Sequence, residues 1–272
     1  MTAQNSGRRA DIGVIGGSGF YQLFEDAEEM VVDTPYGAPS DALTVGSVQG
    51  RTVAFLPRHG RGHRLPPHRI NYRANLWALR SLGVRRVLAP CAVGSLQDEL
   101  GPGTVVVPDQ LVDRTSGRAQ TFYDEGAVHV SFADPYCQEG RTALLKAAAA
   151  QGIKAVDGGT MVVVEGPRFS TRAESQWFAA AGWSLVNMTG HPEAVLAREL
   201  ALSYAAVALV TDRDAGIDAT ESVAQEEVFA VFAQNTERLR GMVIEAIGLL
   251  PEGDDYPCAR VLDGLTLPFD LP

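Results

Sequence analysis

No stretch of this 272-residue chain is apolar over the roughly 20 residues that a membrane-spanning helix needs. Nothing near its start reads as a secretory leader. "MTAQNSGRRA" runs straight into "DIGVIGG", with no apolar h-region and no small-residue cleavage site. The expectation is a cytoplasmic protein with no membrane partner. Cysteine is scarce: Cys91, Cys137 and Cys258 are far apart and form no Cys-x-x-Cys pair, so neither a zinc ribbon nor a disulfide framework is indicated. Each reads as a small buried apolar residue. Positive charge is outnumbered, 23 Lys and Arg against 33 Asp and Glu, for a net charge of −10. That balance argues against a nucleic-acid partner, which needs a broad basic face. Internal repeats, low-complexity blocks and linkers are also missing. So are the usual nucleotide fingerprints: "GGSG" at 16–19 is followed by Tyr21 where a dinucleotide loop needs glycine, and no Walker A lysine follows it.

What is present alternates between strands and helices. "DIGVIGGSGFY" (11–21) reads as a buried strand ending in a glycine turn, and "DALTVGSVQGRTVAFLPR" (41–58) as a hairpin turning at Gln-Gly. "NYRANLWALRSLG" (71–83) has helical spacing and a glycine stop. Strands follow at 85–96 and 103–113. The second half gives helices at 141–152, 171–182, 191–203 and 222–250, with strands at 159–169, 184–190 and 204–216. This order predicts a single α/β domain with a central mixed, largely parallel sheet flanked by helices. Residues 1–10 are expected as a disordered tail, 11–250 as the domain, and 251–272 as an irregular tail packing on it.

Polar and glycine-rich residues recur after apolar strands: Ser18, Arg58, Cys91, Phe169, Asn187 and Asp212. In α/β sheets ligands bind beyond the carboxyl ends of strands, so these residues could converge on one pocket. Three stretches carry chemistry. The glycines around Ser18 could turn N–H groups toward an anion, or simply make a tight turn. "PRHGRGHRLPPHR" (57–69) packs four arginines and three histidines into an acidic chain. Most such charges are a solvated face. One or two arginines at the strand end could hold a phosphate in the guanidinium fork. Zinc on His59, His63 and His68 is disfavoured, because the adjacent arginines would repel the metal. In "VTDRDAG", Asp212 and Asp214 lie two apart and face one side if extended. They are too close for a glycosidase pair, which leaves a metal, a heterocycle's N–H donors, or a solvated loop.

Together these stretches resemble the trimeric purine nucleoside phosphorylase family, and within it the methylthioadenosine phosphorylases. The matching segments include "IGVIGGSGFY", "RHGRGH", "NYRANLWALRSLG", "GTMVVVEGPRFSTRAES", "VNMTGHPEAVLARE" and "TDRDAG", in order from residue 12 to about 240. The resemblance implies cleavage of a nucleoside's N-glycosidic bond by inorganic phosphate, with no metal or organic cofactor, in a homotrimer. It places phosphate on Ser18, Arg58, His59, Cys91, Ala92 and Thr189. It places the ribose on Met188, the base under Phe169 and beside Ser170 and Asn187, and the purine's nitrogens on Asp212 and Asp214. Asp212 is the implied proton donor to N7, and Asp214 the acceptor of the exocyclic amine. Relatives that take 6-oxopurines carry Asn for the first acid and Glu for Ser170, so 5′-methylthioadenosine is the implied substrate. Val228 and Phe229 give the 5′ group an apolar wall, and His129 is implied to enter from a neighbouring subunit. Three residues depart from the pattern: Cys91 stands for Thr or Ser, Gln225 for an apolar residue at the 5′ end, and His191 for a hydrophobic one. The rival readings are an inosine-type or broad purine nucleoside phosphorylase and a non-catalytic nucleoside-binding protein.

Overall fold

The structure is a computed structural model that describes residues 10–17, 20, 24, 27–215, 223–253 and 255–272. Ser18 and residues 1–9 of the tail expected at 1–10 lie outside the described residues; Ala10, expected in that tail, is instead buried in the core and donates to the Leu82 carbonyl. In chain order the strands and helices are β1 (Ile12–Gly16), β2 (Ala27–Met30), β3 (Leu43–Val48), β4 (Arg51–Pro57), α1 (Tyr72–Ser81), β5 (Arg86–Ser95), β6 (Val105–Val107), β7 (Gln110–Arg114) and α2 (Gln138–Ala150). There follow β8 (Ala155–Asp157), β9 (Thr160–Val164), α3 (Arg172–Ala180), β10 (Leu185–Asn187), α4 (Gly190–Glu199), β11 (Ser203–Arg213) and α5 (Gln225–Leu249).

The eleven strands form one mixed sheet, ordered β2-β3-β4-β1-β5-β10-β9-β7, with β11, β6 and β8 branching from β5. Side-chain alternation divides its two faces. Ile15, Ala54, Leu56, Val87, Ala89, Tyr204 and Ala206 pack with Leu76 and Leu79 of α1 and Leu196 and Ala197 of α4. The intervening residues, Val14, Val53, Phe55, Leu88, Ala205 and Val207, pack with Leu144 and Ala147 of α2 and Val243 and Ile247 of α5. Each fully buried Leu, Ile or Val stabilises the fold by about 1.5–3 kcal/mol, so a three-layer arrangement follows from strands apolar on both sides. Gly140 lets α2 approach β11, since a Cβ there would lie 2.7 Å from the Ala205 Cβ. The β3–β4 hairpin turns at Gln49 and Gly50, both with positive φ (52° and 72°), as its two-residue loop requires.

The structure corrects several element boundaries. The single strand expected at 103–113 is two. β6 pairs with β11 and β8, whereas β7 pairs with β9 on the other arm of the sheet. Pro108, which lacks an N–H, sits at the break. α4 ends at Glu199, and Ser203 already belongs to β11. The short strands β2 and β8 went unforeseen. The segment after α5 has one 3₁₀ turn, Pro257–Arg260. Tyr256 is buried there and donates to the Ala201 carbonyl at 2.9 Å, while Phe269 and Leu271 rest against the α1–α4 face.

Candidate active site

The site originates in a fork of the sheet. Along one edge, β5 pairs with β1 through residues 86–88 and with β10 through Gly94 and Ser95. Along its other edge it pairs with β11 for its whole length. Between the two partners, residues 89–93 have no neighbouring strand on that first edge. A cavity of about 480 Å³ opens there, and Pro90, Cys91, Ala92, Val93 and Gly94 line it. Cys91 is therefore in mid-strand rather than at the strand end the sequence suggested. The residues after β4, β9 and β10, the end of β11 and the start of α5 complete the walls.

At one end are Gly17, Arg58, His59 and Thr189. Arg58 is buried and forms a bidentate pair with Glu193, which is fully buried on α4: Nε and Nη2 donate to its two oxygens, each at 2.8 Å. Nη1 donates to the Pro90 carbonyl and Nη2 to the Ile15 carbonyl, each at 3.0 Å. Tyr204 donates to Glu193 at 2.7 Å. Burial works against the charge on Arg58, but Glu193 more than offsets it and the guanidinium stays charged. His59 is neutral. Burial, then the neighbouring His63 and Arg58, lower its pKa to about 3 despite a bond to Leu65. A carbonyl only accepts, so Nδ1–H donates to the Leu65 oxygen at 2.9 Å and Nε2 is left as an acceptor. His63 stacks on His59 with centroids 4.0 Å apart. Burial drives the Cys91 thiol up to about 12, so it is protonated and a weak donor.

Asn187 is repositioned in role. It lines the cavity, but its Oδ1 accepts from the backbone N–H of Thr189 (2.8 Å) and of Gly190 (2.6 Å), and its Nδ2 donates to the Ala92 carbonyl. It is a bracket between β5 and the start of α4 rather than a free group at the base edge. Those two amides are consequently spent. The Thr189 hydroxyl has only a long 3.4 Å contact to Asn187 and is the available donor.

At the other end are Asp212 and Asp214, with Phe169 and Ser170. Both acids face the cavity, as the two-residue spacing implied, although the β5–β11 register shifts between Val210 and Asp212. Asp212 takes a hydrogen bond from the Thr211 hydroxyl at 2.7 Å. Burial, then the charges of Asp214 and Glu227, raise its pKa to about 6, with the Thr211 bond opposing. Burial also raises that of Asp214, against hydrogen-bond donors that include Ser175. Among the described residues neither acid has a cationic partner within salt-bridge distance. Gly94 makes room for them, since a Cβ there would lie 3.0 Å from Asp212 Oδ2. Ser170 Oγ is buried close enough to Asp214 to help hold the pKa of that acid down. Met188 and an apolar wall from α5 of Val228, Phe229 and Phe232, with Gln225 at its start, also line the cavity.

The structure thus gathers Arg58, His59, Cys91, Ala92, Phe169, Ser170, Asn187, Met188, Thr189, Asp212, Asp214, Gln225 and Val228 around one cavity. His129 is exposed and does not line it. Sequence reasoning missed Glu193, Tyr204, Ser175, Thr211 and Phe232. A signal existed for Glu193: it is an acid among the apolar positions of a helix that follows the cavity loop. Among the described residues no group of three or more His, Cys, Asp or Glu is placed to hold a metal.

Known proteins place this arrangement. The sequence profile of the phosphorylase superfamily matches residues 11–248. A purine nucleoside phosphorylase of Streptomyces coelicolor is 60% identical over 97% of this chain and 98% of its own. An S-methyl-5′-thioadenosine phosphorylase of Mycolicibacterium smegmatis is also 60% identical, over 96% of this chain and 99% of its own. Among solved structures, the Schistosoma mansoni methylthioadenosine phosphorylase in complex with adenine superposes with a TM-score of 0.85 at 41% identity, covering 89% of this chain and 92% of that one. The chain and these relatives match in sequence and in shape over most of their lengths, and this chain belongs to the phosphorylase superfamily.

Proposed function

We propose that the chain cleaves 5′-methylthioadenosine with inorganic phosphate to give adenine and 5-methylthioribose 1-phosphate. The observation that carries the reading is the single cavity with unlike ends. Its volume, about 480 Å³, falls in the range of small-molecule sites. The phosphorylase names of the relatives support it.

Phosphate binds at Arg58 and Thr189, with His59, Cys91, Ala92 and Ser18 around it. The sugar lies over Met188, and the base lies under Phe169 with its edge toward Ser170, Asp212 and Asp214. As the C1′–N9 bond breaks, its electron pair goes to the purine and the sugar becomes cation-like. Asp212, kept partly protonated by its dry setting, gives its proton to N7. Asp214 accepts from the exocyclic amine. A phosphate oxygen then bonds to C1′, and the proton that hydrogen phosphate loses restores Asp212 through solvent. Positioning and electrostatics supply the rate. No metal or organic cofactor enters these steps. The domain spans about residues 11–250 with 251–272 packed on it. The working unit is a cytoplasmic homotrimer in which His129 approaches a neighbour's cavity.

One observation favours a wider substrate range: Gln225 puts an amide at the apolar 5′ end, where it can serve a 5′-hydroxyl. A product assay over 5′-methylthioadenosine, adenosine, 5′-methylthioinosine and inosine, with and without phosphate, tests both readings. Adenine release at least about 100-fold faster with phosphate is expected, with the 6-oxo substrates poorest. Equal release in both conditions defeats the proposal.

A further inference from the structure

Arg118 lies outside the cavity, in the loop after β7, yet it holds two of the cavity's walls. Its side chain is 4% exposed. Nη1 donates to the carbonyls of Met188 (3.0 Å) and His191 (2.6 Å), on the loop that carries the sugar and phosphate contacts. Nη2 donates to the Glu165 carbonyl (2.7 Å), with the Val164 carbonyl at 3.5 Å, on the loop that leads to Phe169 and Ser170. Nε donates to the Glu165 carboxylate at 3.1 Å. These loops leave the neighbouring strands β9 and β10, whose pairing ends at Val163 and Asn187. Past that point the backbones must separate to admit a substrate, and their buried carbonyls need donors from elsewhere. They also touch: a Cβ on Gly166, whose φ is +63°, would lie 2.6 Å from the Met188 sulfur.

The geometry points to Arg118 as a positioning residue for phosphorolysis, a rigid spacer that sets the base-holding loop against the sugar- and phosphate-holding loop. This rests on the proposed function. The guanidinium is planar with five donors in fixed directions, so both loops are referred to one plane. Lysine offers a single nitrogen and cannot hold the two loops apart at a set distance. A nucleophile displaced by about 1 Å loses roughly a hundredfold in rate. A phosphate out of line with C1′ also leaves the cation-like sugar open to water. The distinguishing readout is therefore the ratio of free 5-methylthioribose to 5-methylthioribose 1-phosphate. The ratio counts only folded, reacting molecules, so a loss of stability alone does not move it.

The test compares wild type with Arg118→Met, Arg118→Lys and Glu165→Gln, each followed for kcat, both KM values, product ratio and thermal melting. Expected for Arg118→Met is a kcat lower by about a hundredfold, with a smaller change in nucleoside KM, and a hydrolysed fraction higher by at least about tenfold. Arg118→Lys gives a smaller shift in the same direction. Glu165→Gln retains the carbonyl contacts, gives the smallest shift, and supplies the reading if the arginine variants do not fold. A wild-type product ratio in every variant that folds overturns the assignment. A wild type whose adenine release ignores phosphate defeats the functional reading instead, so the two failures are separable.

Discussion

The two ends of the cavity handle charge in opposite ways. At the anion end the protein has already balanced its one buried cation: Arg58 is gripped by Glu193, and His59 is neutral. At the ring end Asp214 is buried and Asp212 half-buried, neither has a cationic partner among the described residues, and both have raised pKa values. The first end is charge-balanced when empty: the fork is spent on Glu193, and one Nη1 N–H of Arg58 and the Thr189 hydroxyl are left for a ligand. The second is held at a cost that a ligand with N–H groups relieves. Charge left uncompensated marks where proton chemistry occurs, and compensated charge marks where a group is merely held.

Asp212→Asn breaks the contrast most severely, because an amide can donate a hydrogen bond but cannot give up a proton at neutral pH. Phosphorolysis of 5′-methylthioadenosine should fall by about 10²–10⁴-fold, with inosine-type substrates losing less. In wild type, kcat/KM at saturating phosphate should decline as pH rises through about 6, where free Asp212 loses its proton; this limb should be missing from the variant. Stability moves the other way. The folded-state pKa is raised, so holding the ionised carboxylate costs stability above about pH 6. Asp212→Asn should melt higher than wild type there, and the advantage should vanish below the ordinary aspartate range. A variant that keeps the limb, or melts lower at high pH, contradicts the assignment.

Glu193→Gln attacks the balanced end. It strands a buried guanidinium, and losses on breaking such pairs are about 3–5 kcal/mol. Millimolar phosphate should restore more stability to this variant than to wild type, as read by thermal melting, because the anion replaces the missing charge. No difference in the phosphate response would place the anion elsewhere. Gly94→Ala sharpens the ring end by pushing a methyl against Asp212, with a cost of about 1–3 kcal/mol in stability and weaker adenine binding by calorimetry. Arg61→Ala should do least. Its partner Glu29 is as exposed as it is, so chemical denaturation should shift by less than about 1 kcal/mol.

That last pair also answers what the basic stretch is for, and shows how far sequence alone reaches. From the run 57–69, the sequence offered one or two strand-end arginines as phosphate ligands; one of them, Arg58, lines the cavity, with its fork on Glu193. Arg61 pairs with Glu29 and Arg64 with the Ser40 carbonyl. The acids were legible because a two-residue spacing on a strand puts both on one side. The layers were legible because apolar periodicity reports burial directly, whereas the order of strands in the sheet was not. What escaped was set by distant partners. Glu193 lies 135 residues from Arg58, and Arg118 acts through backbone carbonyls 46 to 73 residues away. Asn187 lines the cavity as its place suggested, while its Oδ1 and one N–H of its amide are taken by backbone groups that the sequence does not reveal. The split of β6 from β7 depends on which strands they pair with, and local pattern carries no record of that.

A crystal structure of the chain with adenine and phosphate bound together tests the central claim most directly. The account predicts both in one cavity, phosphate within hydrogen-bond distance of the Thr189 hydroxyl and beside Arg58, and the adenine edge on Asp212 and Asp214 beneath Phe169. Adenine and phosphate competing for one end, or the anion binding away from Arg58, would contradict it.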